Sequence, residues 1–256
     1  MIDFRCIYMV WLRDTIRYFR ERSQILGSIT RPVIWLFLLG MGMRSAGIKI
    51  GPYDYTQLIF PGIVAMTIIF TSIQSAISII WDREFGFLKE VLVAPVPRTS
   101  IVIGKALAGT TLSLIQAAII LLLSPLVHVH FPLVHLLPII GTAIVTAFGL
   151  TGVGIVIAVR MTSFQGFGTI MNFVIMPMWF LSGAMFPPTN LPKWLALLVS
   201  VNPLTYGVDM LRHLILVNGP ATGFYYSSIW FDLGFLLAFS VVMVGLAVFF
   251  FNRGEY

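Results

Sequence analysis

Five charged side chains fall within the ten residues WDREFGFLKE, 81 to 90: Asp82, Arg83, Glu84, Lys89 and Glu90. Arg98 follows, just past Pro95 and Pro97. Acids and bases at this density can lie solvated on lipid headgroups, or they can fix the register of a contact with another protein. Other chemistry-bearing residues are sparse. "GKAL" at 104–107 has the Gly-Lys pair of a phosphate-binding loop, but lacks the upstream glycine at the required spacing and the following Ser or Thr. ATP hydrolysis is therefore not expected from this chain, which reads as a non-enzyme. "GLTGVGIVIA" at 149–158 is no dinucleotide fingerprint, because Ile157 stands where the last glycine belongs. Its small residues, with Gly154 and Ala158 at i and i+4, suit close helix packing. His128, His130 and His135 cluster without a carboxylate nearby in sequence, so they read as polar residues at a turn and no metal site is expected. Asp232 opens the last apolar segment and reads as a helix cap, and Asp209 and Arg212 read as a local i,i+3 pair. A single cysteine, Cys6, excludes an internal disulfide and a cysteine zinc site.

The charged stretch has the period of a short helix. Phe85, Leu88 and Leu92 fall at i, i+3 and i+7, Phe87 and Val91 add an adjacent apolar strip, and Arg83, Glu84, Lys89 and Glu90 flank them. Pro95 and Pro97 end it, since proline cannot continue the hydrogen-bond ladder. Such a segment can lie as a polar loop on lipid headgroups or dock into a groove of a soluble partner, and periodicity leaves both readings open.

The rest of the chain decides where this stretch sits. Of the 256 residues, 58% are hydrophobic and 10% charged, with a mean hydropathy of +0.95. A soluble domain carries about a quarter charged residues. The composition therefore predicts an all-α integral membrane protein, and the net charge of +6 predicts anionic lipid rather than nucleic acid as its neighbour. Six spans are predicted, at about 25–44, 57–81, 101–127, 136–159, 167–186 and 229–251. Residues 1–28 predict an amphipathic interfacial helix with Arg13, Arg17 and Arg20 among the headgroups, and no cleavable signal. The broken apolar pieces of 187–217 predict re-entrant segments. Both termini then share one side. Of the 16 Lys and Arg residues only Arg44, Lys49, Lys193 and Arg212 fall on the other, so the charged stretch and the termini are expected in the cytoplasm. Aromatic residues Trp35, Phe37, Trp179 and Phe180 are candidates to line a substrate path. Two rival classes, a membrane-embedded lipid-modifying enzyme and a secondary transporter, would need clustered acids or intramembrane charges, and neither is visible.

Two blocks carry a family resemblance. "EFGFLKEVLVAPVPRTSIVIGKALAG" resembles the signature region of ABC-2 type transporter permeases at Glu84, Gly86, Leu88, Glu90, Leu92, Pro95, Arg98, Gly104 and Lys105. "FLSGAMFPPTNLPKWLALLVSVNPLTYGVDMLR" is similar to the same family's segment before the last span, with matches that include Ser182, Gly183, Phe186, Pro187, Leu191, Pro192, Trp194, Asn202, Pro203 and Arg212. The likeness is nearest to the drug-resistance and nodulation lipo-oligosaccharide export branch. It implies the type V exporter architecture, in which 82–98 is a coupling helix held in the groove of a cytoplasmic ATPase. It implies that Phe186, Pro187, Pro188, Leu191, Pro192 and Trp194 belong to an outer gate. It further implies two ATPase copies carrying ATP and magnesium, a second permease copy as a homodimer, no cofactor in this chain, and a place in the cytoplasmic (inner) membrane. The expected function is export of an amphipathic or lipid-linked substrate such as a drug, glycolipid, lipo-oligosaccharide or polysaccharide.

Overall fold

The computed structural model describes residues 2–45, 47, 49–50, 53–87, 96–185, 191–216 and 226–253. The chain begins with α1 (Phe4–Arg20), whose first turn is capped by the Asp3 carboxylate, accepting from the N–H groups of Arg5 at 2.9 Å and Cys6 at 3.3 Å. Arg17 and Arg20 fall in its last turn, where cations suit the helix dipole. α2 (Arg22–Ser45) follows, and the two axes differ by 71°. Pro32 lies inside α2, ten residues after the helix starts at Arg22. A two-stranded antiparallel ribbon, β1 (Lys49–Ile50) and β2 (Tyr53–Asp54), leads into α3 (Tyr55–Ser75). α4 (Ile77–Glu84) continues α3 after a turn at Ala76, and α5 (Arg98–Leu122) comes next. Two 3-10 turns separate α5 from α6 (Leu136–Val159). α7 (Phe164–Phe180), α8 (Lys193–Val201), α9 (Pro203–Ile215) and α10 (Ile229–Arg253) complete the described helices.

Among the described residues, four stretches are long and apolar enough to cross a membrane: Tyr55–Glu84, Arg98–Leu122, Leu133–Val159 and Ile229–Arg253. The number rises to six if α1 with α2, and α8 with α9, which meet at 84°, each count as one bent span. The architecture is therefore an all-α multi-pass membrane protein. α7 differs from the expected span at 167–186. It starts at Phe164 and stops at Phe180, and 17 residues reach only about 25 Å against a hydrocarbon core of about 30 Å. Gly183, at φ +72°, then turns the chain away.

α3 is the centre of the bundle and is buried without a break from Leu58 to Ile73. α2, α5, α6 and α9 surround it. Close approach depends on small residues, as expected where lipid on the outside competes for apolar contact. A Cβ on Gly154 of α6 would lie 2.7 Å from the Ile73 carbonyl oxygen of α3, and one on Gly152 would meet the Met243 backbone of α10 at 3.0 Å. The 149–158 stretch is thus a packing surface, as its spacing implied. Ser72 and Ser113 share a hydrogen bond of 2.8 Å between α3 and α5, and Thr67 donates to the Ile63 carbonyl one turn back at 2.9 Å.

Candidate functional site

The charged residues meet at one end of the bundle, where α1, α4 and α5 converge. Lys105, one turn into the apolar part of α5, has a side chain only 3% exposed. Its Nζ lies 2.7 Å from Asp82 Oδ2 on α4, 3.2 Å from Asp14 Oδ2 on α1, and 3.0 Å from the Ser78 hydroxyl. Arg13 bridges the same two acids, with Nη2 at 2.7 Å from Asp14 Oδ1 and 2.6 Å from Asp82 Oδ2. Arg17 closes the group at 3.6 Å from Asp82 Oδ1. Two carboxylates thus face three cations, so the buried acids are over-compensated and each has several donors. Burial pushes the Asp14 carboxyl up, but Lys105 and Arg13 outweigh it and hold the group below the ordinary carboxylate range.

That shift has a sign. A carboxyl depressed in the folded state adds stability that is present above its unfolded value, near 4, and is lost as the pH falls through the folded value. The thermal midpoint of the purified chain should therefore be flat from pH 7 to about 5 and fall below about 4. Asp14→Asn should flatten that fall, which a pH series of melting curves checks.

The arginines of this end are also organised by aromatic rings and helix ends. Arg13 lies 4.4 Å from the centre of the Phe87 ring and Arg17 lies 4.0 Å from that of Trp81. Arg83 donates Nη1 to the Met161 carbonyl and Nη2 to the Val159 carbonyl, both at 2.8 Å, which caps the C-terminus of α6. Arg98 donates to the Asn252 carbonyl at 2.9 Å in the last turn of α10. α1 is fastened along its length to α5. Asp3 N–H donates to Ser100 at 2.8 Å, Trp11 Nε1 to Thr111 at 2.9 Å, and Gln116 to the Tyr18 hydroxyl. Gly104 makes this approach feasible, since a Cβ there would lie 2.9 Å from the Ile7 carbonyl oxygen.

These positions revise several expectations. Asp82 is 5% exposed and belongs to the ion cluster, not to an outward docking face. Together with Arg83 and Glu84 it ends α4 rather than beginning a separate helix, because Phe85 and Gly86, at φ +77°, form a turn. Phe85 is 76% exposed, and Phe87 also faces outward. Leu88, Lys89, Glu90, Val91, Leu92 and Pro95 lie outside the described residues. On α1 the polar and apolar faces trade expected partners. Arg13 and Arg17 turn inward to acids, Arg20 stays exposed, and Phe4, Tyr8, Met9 and Phe19 are the outward apolar face.

Of the path candidates, Trp179 is 1% exposed, stacks edge-on against Trp35 at 5.5 Å and donates Nε1 to the Gly62 carbonyl at 3.2 Å. It is a core residue, and so lines no open path within one copy. Trp35 and Phe37 are half-buried, while Phe180 is 42% exposed. Of the gate candidates, Phe186, Pro187 and Pro188 lie outside the described residues. Leu191 is half-buried, Pro192 precedes α8, and Trp194 is exposed on it.

The remaining polar candidates also move. His128 and His130 are exposed, and His135 Nδ1 lies 2.9 Å from the Leu214 carbonyl, so the three do not converge. The Asp209 carboxylate accepts from the N–H groups of Tyr226 and Ser227, and Arg212 Nη2 donates to the Gly183 carbonyl at 2.7 Å. Asp232 sits inside the first turn of α10, fully buried, and not at its cap. Asp14 is the member of the ion cluster that the sequence alone does not single out. Its signal was an acid on the arginine face of an amphipathic helix, where a lone carboxylate among cations marks a buried pair.

The comparisons with known proteins agree with this architecture. Residues 5–216 match the ABC-2 type transporter family. A putative transport permease ycf38 of Cyanophora paradoxa is 29% identical over 233 residues, 90% of this chain and 79% of that protein. Nodulation protein J of Rhizobium leguminosarum bv. viciae is 29% identical over 215 residues, 81% of each chain. A probable multidrug ABC transporter permease, YbhR of Escherichia coli K12, is 29% identical over 180 residues, 69% of this chain and 48% of that one. The chain belongs to the ABC-2 type transporter family and is a membrane permease subunit of an ABC transporter.

Proposed function

We propose that this permease exports an amphipathic or lipid-linked substrate, driven by two copies of a separate ATPase subunit bound at its charged end. The observation that carries the reading is the Asp14–Lys105–Asp82 cluster, which joins the amphipathic helix α1, the helix end that precedes the charged stretch, and the start of α5. A force applied to residues 82–98 by a soluble partner is then passed to three helices at once. In this reading the charged end and both termini face the cytoplasm, the protein sits in the cytoplasmic membrane, and two copies pair to form the path. ATP and magnesium belong to the partner. Residues 186–194 form the outer gate. One relative is named as a probable multidrug ABC transporter permease, and this reading gives the chain a cargo of that kind.

Two experiments test this. The chain carrying an affinity tag is expected to recover the ATPase from detergent-solubilised membranes, and L88D/L92D to lose at least about tenfold of it, since apolar knobs in a groove carry such contacts. Equal recovery by the variant would rule the docking out. A cysteine at residue 50 should react with a membrane-impermeant reagent on intact cells and one at residue 95 should not; labelling of residue 95 would reverse the orientation.

A further inference from the structure

Arg31 carries a charge that the ion cluster does not use. α2 runs antiparallel to α3: the Gly40 carbonyl accepts from Thr56 Oγ1 at 2.9 Å near the start of α3, and the Arg31 guanidinium lies 4.4 Å from the centre of the Phe70 ring. Phe70 is at the middle of Tyr55–Glu84, a stretch long enough to cross the membrane, so Arg31 stands near mid-depth. A charge at that depth is costly unless it faces a cavity or a partner, and such residues mark the paths of substrates. We infer that Arg31 and Gln74 form a binding site for the phosphate headgroup of an amphiphile, in a cavity between α2 and α3. The inference rests on the proposed export of an amphiphile and names the anionic group that this cargo carries.

Ser28, Arg31, Met66, Thr67, Phe70 and Gln74 line this cavity, which holds about 170 Å³. One water requires about 10–15 Å³, so there is room for a headgroup. Thr67, Phe70 and Gln74 fall at i, i+3 and i+7 on one face of α3, and Ser28 and Arg31 at i and i+3 on the facing side of α2. Two of the polar side chains are already committed. The Ser28 hydroxyl donates to the Ile25 carbonyl and that of Thr67 to the Ile63 carbonyl, both at 2.9 Å. The other two are not, and both are exposed on the surface of this chain. Among the described residues the Arg31 guanidinium has no hydrogen bond and no ion pair, and the Gln74 side chain has no hydrogen bond. The Phe70 ring attracts the charge of Arg31 but leaves its five N–H donors without an oxygen.

Unmet donors with no acid beside them select an anion. Among the described residues no Asp or Glu lines the cavity, so nothing in it competes with an incoming oxyanion. A guanidinium fork binds two oxygens of a phosphate at once, and the Gln74 amide offers N–H donors to a third. A carboxylate has only two oxygens, which the fork alone would occupy. The walls suit the rest of the ligand. Met66 and Phe70 are buried apolar side chains, and the cavity lies within the depth of the apolar spans. A headgroup carried on an apolar tail reaches this depth from the bilayer, whereas free phosphate would have to give up its water to enter.

The full chain, purified in a neutral detergent, is titrated with dioctanoyl phosphatidic acid, and bound lipid is counted by native mass spectrometry. The expected result is one lipid per chain, with R31Q binding at least about tenfold more weakly and R31K and Q74L weakened less, since each keeps part of the donor set. R253Q removes another arginine that lies over a ring, 4.3 Å from the centre of Phe249, and should bind as the wild type does. Dioctanoylglycerol, which lacks the phosphate, should not bind, and millimolar inorganic phosphate should not displace the lipid. Equal binding by R31Q, an equal loss in R253Q, or equal binding of dioctanoylglycerol overturns the proposal. Displacement by inorganic phosphate also overturns it, because the site would then take a free anion. So does a changed oligomeric state of R31Q with lipid binding intact, which would make Arg31 a contact between copies. Should R31Q fail to give monodisperse protein, Q74L and R31K decide the matter. Recovery of the ATPase by tagged R31Q is expected to match the wild type. ATPase recovered without Arg31-dependent lipid binding removes this site and leaves the export reading, whereas Arg31-dependent binding in a chain that recovers no ATPase upholds the site and removes that reading.

Discussion

Lys105→Met should destabilise the permease by about 3 kcal/mol and cut ATP-driven coupling with it. Methionine keeps most of the volume but removes the charge at the centre of the cluster. Asp14 and Asp82, with side chains 7% and 6% exposed, would then depend on Arg13 and Arg17, which are about a third exposed and reach them from one side only. Breaking a buried ion group by removing one partner typically costs about 3–5 kcal/mol, because the remaining charge stays buried. The surviving arginines argue for the lower end. A melting curve of the purified chain in detergent checks this, with a fall in Tm on the order of 10 °C expected. The double variant Asp82→Asn with Lys105→Met should recover part of the loss, since it removes an acid together with its cation. A double variant worse than the sum of the singles would mean that the pair is not where the stability resides.

Trp179→Ala is the other large effect. Trp179 fills the space between α2, α3 and α7, and its indole N–H is bonded to Gly62. Alanine leaves a cavity that the neighbouring backbone cannot close, because Gly62 already lies against Ala184. Truncating a buried tryptophan costs about 3–5 kcal/mol, most of it lost contact and cavity. Trp179→Phe restores much of the contact and should cost about 1–2 kcal/mol, with substrate transport retained by the folded fraction. A path residue would behave differently: Trp179→Phe would change which substrates are carried at unaltered Tm. The two substitutions, read by melting curve and by transport assay together, separate a core role from a path role.

How much of this was legible in the sequence depended on distance along the chain. The apolar lengths of 55–84 and 98–122 are local properties, and they mark the long helices directly. The small residues of α6 were readable because helical spacing puts them on faces. The amphipathic period of α1 was also readable, but not which face points inward. Periodicity separates arginines from aromatics, and only the arrival of Asp82 and Lys105 from distant segments turns Arg13 and Arg17 toward the protein. The charged stretch was read as one surface because five charges are close in sequence. Its first member is buried by a partner on another helix, and its turn depends on Gly86 at positive φ.

In the proposed mechanism α1, the end of α4 and the start of α5 move as one body when the ATPase acts. The most direct measurement is the distance between spin labels on Met9 of α1 and Leu107 of α5, both outward-facing, in a Cys6→Ser background. The labelled chain is diluted with unlabelled copies so that each distance lies within one chain, and the ATPase complex is compared without nucleotide and trapped with ATP. The distance is expected to change by less than about 1 Å while the complex as a whole rearranges. A shift of several ångströms between the two states would show α1 sliding past α5, and would contradict it.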